Sequence, residues 1–374
     1  MDLMEVLLVY LGAAVAVYYG VKLLLFSRML FPKLWFPLPE TFFTSMGEWA
    51  VVTGGSEGIG RAYAFALAER GMNVVIMSRT KENLERVAAE IGEPDATGRR
   101  VKVVVTDFVQ DDVFAEVEEQ LKGLDVGVLV NNVGILPSAV PGKFLDSPDL
   151  EQTITRVVNC NMKTMAKMCK IILPGMKSRG RGVILNMSSG VWCIQLPLYT
   201  LYAASKLFVE RFSQGLQAEY KDVGIIIQAV APFGISTRMA AYQKANMVTL
   251  TPEDFVRRSL LYLRAGDKTR GSVCHTVLVR PAGPAEQAPG TAAAGSFPPV
   301  CVCVCVCVCV CVCVCVWVCV CVCVCGWVFA RGHAGLVAAV RSPPAALHGA
   351  RAARHTELCQ EEDRRNSSDA TFRK

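Results

Sequence analysis

Histidine is nearly missing from this chain of 374 residues: there are four, and only His275 falls before residue 300. A Ser-His-Asp hydrolase or a histidine-ligated metal enzyme has almost no material to work with. Charge is sparse as well. Charged residues make up 19%, the formal net charge is +6, and no run of Lys and Arg is interleaved with aromatics, which argues against a nucleic-acid partner. CxxC spacing is absent. The 17 cysteines suggest a disulfide framework until they are located: twelve lie between Cys301 and Cys325, and Cys160, Cys169, Cys193, Cys274 and Cys359 are scattered. Neither a zinc site nor a redox pair is expected, and no metal.

What the chain has in excess is apolar sequence, 52% of residues, and two stretches cause it. Val6 to Phe26 is apolar except for Lys22. Its length suits a bilayer core of about 30 Å, which takes ~20 helical residues. Asp2 and Glu5 precede it, unlike the basic start of a signal peptide, while Lys22, Arg28 and Lys33 lie at or beyond its far end. The expectation is a membrane anchor over residues 1–26 with the downstream domain in the cytosol. A buried core helix is the alternative. Residues 27–46, with Trp35, Phe36 and three prolines, read either as an interfacial collar or as a linker packed on the domain.

The second stretch starts at Cys301, where Val and Cys alternate strictly. As protein it would be a long uncharged strand prone to aggregate. A TG dinucleotide repeat read in triplets gives TGT and GTG, hence Cys-Val. Trp317 and Trp327 fall in the Cys phase and Gly326 in the Val phase, each one base away. The expectation is that residues 279–374 are translated non-coding sequence, a disordered low-complexity tail.

Between these ends, short β-rich runs alternate with helical patterns. The expected strands are WAVVTGG, NVVIMSR, VKVVVTDF, VGVLVNN, GVILNMSS and GIIIQAVAP, with a seventh at SVCHTVL. The runs are apolar without alternation, which fits strands covered on both faces. The predicted fold is α/β, a Rossmann-like doubly wound parallel sheet over residues 47–278.

Where the first strand meets the first helix stands TGGSEGIG, which makes Thr53, Gly54, Ser56, Gly58, Ile59 and Gly60 candidate cofactor contacts. Glycines there permit a tight turn and let a pyrophosphate approach N–H groups at a helix N-terminus. The second strand ends in Ser78-Arg79-Thr80, nineteen residues past Gly60 at Arg79, where NAD enzymes tend to carry an acid. Arginine cannot accept from a ribose hydroxyl but can pair with a 2′-phosphate, so NADPH is the expected cofactor. An exposed arginine before a helix is the alternative. Asp107 is placed to meet the adenine, or else to cap the helix that follows.

Tyr202 and Lys206 are four apart on a predicted helix, thirteen residues after Ser189 at a strand's end. A phenol with a pKa near 10 must drop about 3 units, or ~4 kcal/mol, to exchange protons near pH 7. One ammonium ~4 Å away supplies about that at an effective dielectric of 20. Ser189 and Tyr202 are therefore candidate substrate contacts: both would hydrogen-bond a carbonyl, and Tyr202 would protonate its oxygen. Tyr199 is a decoy, since its fourth neighbour is Ala203.

Together with NNVG (Asn131 to Gly134) and Asn161 in VNCN, these motifs resemble the short-chain dehydrogenase/reductases. The resemblance spans about residues 47–278. It implies that Asn161, Ser189, Tyr202 and Lys206 are catalytic and that Asn161 holds a water in a proton relay. It also implies that Asn132, Gly134, Tyr202, Lys206, Pro232 and Thr237 contact the cofactor, with PFGIST (Pro232 to Thr237) against the nicotinamide. Within the family the chain is similar to a membrane-anchored branch of the endoplasmic reticulum. That branch implies NADPH-dependent reduction of a 17-ketosteroid, androstenedione to testosterone, in steroid hormone biosynthesis. The alternative is a very-long-chain 3-ketoacyl-CoA, in fatty acid elongation. A homodimer through helices flanking the site is also implied. The family continues with an apolar C-terminal segment where this chain breaks off near Leu278, which leaves a catalytically impaired isoform as a third alternative.

Overall fold

The structure, a computed structural model, describes residues 3–93, 96–147, 149–190, 196–240, 242–246 and 248–278. The Val-Cys tail lies outside the described residues. Helix α1 runs Leu3–Leu30, 28 residues, or about 42 Å at 1.5 Å per residue. It has no polar face, and none of its apolar window over Leu3–Arg28 is buried in the protein, so it is not a core helix. By length and composition it can cross a membrane, which is consistent with membrane association.

The collar that follows does two things. Helix α2 (Pro32–Trp35) buries Pro32 but leaves Phe31 and Leu34 exposed. The Arg28 guanidinium lies 5.9 Å from the Trp35 ring centroid and 5.1 Å from that of Phe36. Helix α3 (Phe42–Met46) then drives Phe42 and Phe43, packed edge-on at 5.2 Å, into the core of the domain.

The domain proper is a seven-stranded, wholly parallel sheet. In chain order its elements are β1 (Trp49–Thr53), α4 (Gly58–Ala68), β2 (Asn73–Ser78), α5 (Lys81–Gly92), β3 (Val101–Val105), α6 (Phe114–Leu121) and β4 (Val126–Asn131). Next come α7 (Leu150–Val158), α8 (Thr164–Arg179), β5 (Gly182–Met187), α9 (Thr200–Tyr220) and β6 (Ile225–Val230). The short pair β7 (Gly234–Ile235) and β8 (Thr249–Leu250), α10 (Pro252–Ser259), β9 (Lys268–Thr269) and α11 (Val273–Leu278) complete it. The strand order is β3-β2-β1-β4-β5-β6-β9, so the order reverses between β1 and β4, where ligands bind doubly wound sheets.

Two cores cover the two faces. Val52, Val74, Ile76 and Leu185 pack on one side with Leu67 of α4 and Phe255 of α10. Val51, Val75, Leu129 and Ile184 pack on the other with Val117 of α6 and Met168 and Ile172 of α8. Neighbouring residues on one strand thus serve opposite faces, which is why the strands read as unbroken apolar runs.

The expected seventh strand at SVCHTVL is a helix. The edge strand is β9, which pairs Lys268 with Ala229 and Thr269 with Val230. Gly271 (φ +70°) turns the chain, and Ser272 then caps α11: its Oγ accepts from the His275 N–H at 3.2 Å and its carbonyl from the Thr276 N–H at 3.0 Å. Local capping overrides the β propensity of Val273 and Thr276.

Candidate active site

The glycine turn is assembled by Thr53 at the end of β1. Its Oγ1 accepts from the backbone N–H groups of Asn132 (3.0 Å) and Val133 (3.1 Å), which ties β1 to the end of β4. Asn132 Nδ2 returns bonds to the carbonyls of Thr53 (3.0 Å) and Gly54 (3.3 Å). Gly54 has φ +67°, and a side chain on Gly60 would run into the Gly54 carbonyl, so both positions require glycine. The turn is consequently a backbone cradle at the start of α4, where N–H groups point outward without intrahelical partners. Ser56 Oγ donates to Ser78 Oγ at 3.0 Å and holds the cradle to the end of β2, next to exposed Arg79. Ile59 is partly buried against the core.

Asp107 lies beyond β3. Its Oδ1 accepts from the Val109 N–H at 3.2 Å, a local turn rather than a helix cap, since α6 begins only at Phe114.

The opposite wall is built from β5 and α9. Ser189 is buried after β5 and its side chain hydrogen-bonds Tyr202. Ser188 is structural: its Oγ donates to the Lys206 carbonyl at 2.8 Å and locks α9 against the strand. Lys206 is 5% exposed, donates from Nζ to the Met187 carbonyl at 3.0 Å, and lies 5.6 Å from the Tyr202 ring centroid. Gly134 packs against this amine and against Asn161: a Cβ there would lie 3.2 Å from Nζ and 3.5 Å from Asn161 Oδ1.

Asn161 sits in a π-helical turn, Asn159–Lys163, between α7 and α8. Such turns re-aim side chains at functional sites. Its Oδ1 accepts from the Ile135 N–H (2.8 Å), and its Nδ2 donates to the Ile135 carbonyl (3.0 Å) and to Ser205 Oγ (3.1 Å). Ser205 Oγ in turn donates to the Tyr202 carbonyl at 2.7 Å. Ser205 escaped the sequence analysis, although its position three residues after Tyr202 on a helix was a usable signal. Pro232 joins the site through its carbonyl, which accepts from Gly190 N–H at 2.7 Å. Thr237 rests on the cradle, its Cγ2 3.2 Å from where a Gly58 Cβ would lie.

The electrostatics correct one expectation. Burial pushes the Tyr202 phenol up, to about 12, and outweighs the lowering effect of Ser189. Burial also pulls Lys206 down, to about 8. Desolvation disfavours the charged form of each, and the amine stands 5.6 Å from the ring centroid. In this arrangement Tyr202 is held protonated, a donor rather than a near-neutral acid.

The sequence pattern of the short chain dehydrogenases matches residues 48–247. This chain belongs to the short-chain dehydrogenase family. It is 58% identical over 280 residues to 17-beta-hydroxysteroid dehydrogenase type 3 of Danio rerio, a match covering 75% of this chain and 91% of that one. It is 46% identical over 234 residues to a very-long-chain 3-oxoacyl-CoA reductase of Anas platyrhynchos, covering 62% of this chain and 74% of the other. Among solved structures, a short-chain dehydrogenase from Sphingobium yanoikuyae in complex with NADPH is 29% identical with a TM-score of 0.54, covering 59% of this chain and 86% of that one. As a short-chain dehydrogenase the protein is an oxidoreductase whose family uses NAD or NADP. The glycine turn fits a dinucleotide by its place in the fold: Gly54 and Gly60 let it close tightly on Asn132 and Val133 between the end of β1 and the start of α4.

Proposed function

We propose that the protein is a membrane-anchored, NADPH-dependent reductase of a 17-ketosteroid, acting in steroid biosynthesis on a small-molecule substrate. The observation that carries the chemistry is the Tyr202 phenol, hydrogen-bonded to Ser189 and one helical turn from buried Lys206. Thr53 to Gly60, with Asn132 and Gly134, would hold the dinucleotide, and exposed Arg79 would pair with a 2′-phosphate. When bound, the nicotinamide supplies the hydride. Ser189 and Tyr202 orient the ketone oxygen, and Tyr202 delivers the proton to it. Lys206 keeps charge next to the phenol and within reach of the ribose, while Asn161 fixes the floor of the site through Ile135 and Ser205.

A steroid fits the surroundings better than an acyl-CoA. A cavity of about 440 Å³ opens beside the first turn of α9, bounded by Val140, Phe144, Leu198 and Leu201. Its basic groups, Lys143 and Arg156, are matched by Asp146 and Asp149, so it offers no net positive landing site for a CoA phosphate. The type 3 relative's name supports the same substrate. We place the anchor in the endoplasmic reticulum membrane, the catalytic domain (residues 47–278) in the cytosol, and the tail from Val279 outside the working enzyme.

Turnover of androstenedione against a 3-ketoacyl-CoA, each with NADPH, in microsomes carrying the full chain tests this. Preferential androstenedione reduction supports it. Preferential acyl-CoA reduction assigns the second substrate, and tight NADPH binding with neither turned over assigns an impaired isoform.

A further inference from the structure

We propose that His275 is a positioning residue that fastens two chain segments to the C-terminal helix α11: Pro232–Thr237, which lies against the cofactor turn, and Val248–Leu250, which pairs with that segment. It is the one histidine among the described residues, and it is 0% exposed. Its Nε2 lies 3.0 Å from the Val248 carbonyl, and its Nδ1 accepts from the Phe233 N–H at 3.4 Å. That pattern needs the neutral ring with its proton on Nε2. The Phe255 ring of α10 packs against it, centroids 6.0 Å apart.

The two segments have little else in common. β7 and β8 pair over only two residues, Gly234 with Thr249 and Ile235 with Leu250, with one further bond from Ser236 N–H to the Leu250 carbonyl at 2.9 Å. One imidazole therefore supplies a bond to each segment at the foot of a two-residue ladder. What the segments carry matters. Pro232 receives Gly190 beside Ser189, Thr237 presses on Gly58 of the cradle, and Arg238 pairs with Glu57 of the same turn. Loosening His275 is thereby transmitted to the dinucleotide cradle, although His275 itself bonds neither Tyr202 nor Lys206.

The proposal rests on the dinucleotide reading of the cradle but is tested apart from it. In the full chain, His275→Ala should speed amide hydrogen exchange in Gly234–Ala240 and Val248–Leu250. It should also raise the dissociation constant and KM for NADPH about tenfold, the loss of roughly one hydrogen bond, with kcat changed less than about twofold. His275→Gln, which keeps a donor for Val248, should recover part of the affinity. If the alanine variant does not fold, the glutamine variant decides: faster exchange at the Phe233 side alone supports the proposal, and exchange and affinity like those of the parent overturn it. A folded alanine variant with unchanged exchange overturns it too. If the parent binds no NADPH, the dinucleotide reading fails, and the exchange measurement still decides the role of His275.

Discussion

Lys206 lies over the ring of Tyr202, its ammonium 5.6 Å from the centroid, while it donates to the Met187 carbonyl at 3.0 Å. The pair is set by helical spacing, but its electrostatics are set by burial. Both groups are pushed toward their neutral forms, the phenol to about 12 and the amine to about 8. At neutral pH, below both values, the phenol keeps its proton and the amine its charge, the state a carbonyl reduction needs at the start.

Buried Lys206 makes the stability of the fold depend on pH. Its folded-state value lies below the ordinary 10.5, so burying the charged form costs stability, and that cost is complete below about pH 8. Stability should rise as pH climbs from about 8 toward 10.5. Tyr202 opposes this only above the ordinary 10.0, because its raised value keeps its contribution intact below that pH. Lys206→Met should raise the melting temperature at pH 7 and remove this rise, as thermal melts across the range would record. In the parent protein NADPH affinity should fall as pH rises through about 8. In the variant it should be weak and flat.

Arg79 is exposed at the end of β2, next to Ser78, which holds the cradle. Arg79→Ala should weaken NADPH binding by about 10- to 100-fold, the range of a charge-assisted bond, and leave NADH binding unchanged. Fluorescence titration with both nucleotides checks it. Equal losses for both would remove the 2′-phosphate role.

At the cradle, Gly60→Ala places a methyl against the Gly54 carbonyl. Dinucleotide binding should be lost while the sheet persists, as circular dichroism and titration together would show.

The collar can be tested by contrast. Phe43 is buried in the core and Phe31 is exposed. Phe43→Ala should cost about 3–5 kcal/mol of stability, whereas Phe31→Ala should stay within about 0.5 kcal/mol. Denaturant melts of the detergent-solubilised chain separate the two.

Much of this was legible in the residues. The places of the glycine turn, Ser189, Tyr202 and Lys206 at strand ends and helix starts were readable from periodicity and spacing, whereas Asn161 came from the resemblance to the family. α11 was not, because VCHTVL carries β-branched residues, and only the Gly271 turn and the Ser272 cap decide for helix. Nor was the state of Tyr202 legible. A sequence shows which charge stands four residues away, but not how deeply the phenol is buried or that the amine approaches the ring face. Ser205 and His275 were hidden for a related reason: their partners, Asn161 and the Phe233 and Val248 backbone, are distant in sequence.

The most direct test is Tyr202→Phe in the full, membrane-bound chain, with NADPH binding and single-turnover reduction of androstenedione measured side by side. NADPH should bind as in the parent, while reduction falls by at least the roughly 10²- to 10⁴-fold that a positioned acid contributes. Reduction at the parent rate would show that another group delivers the proton.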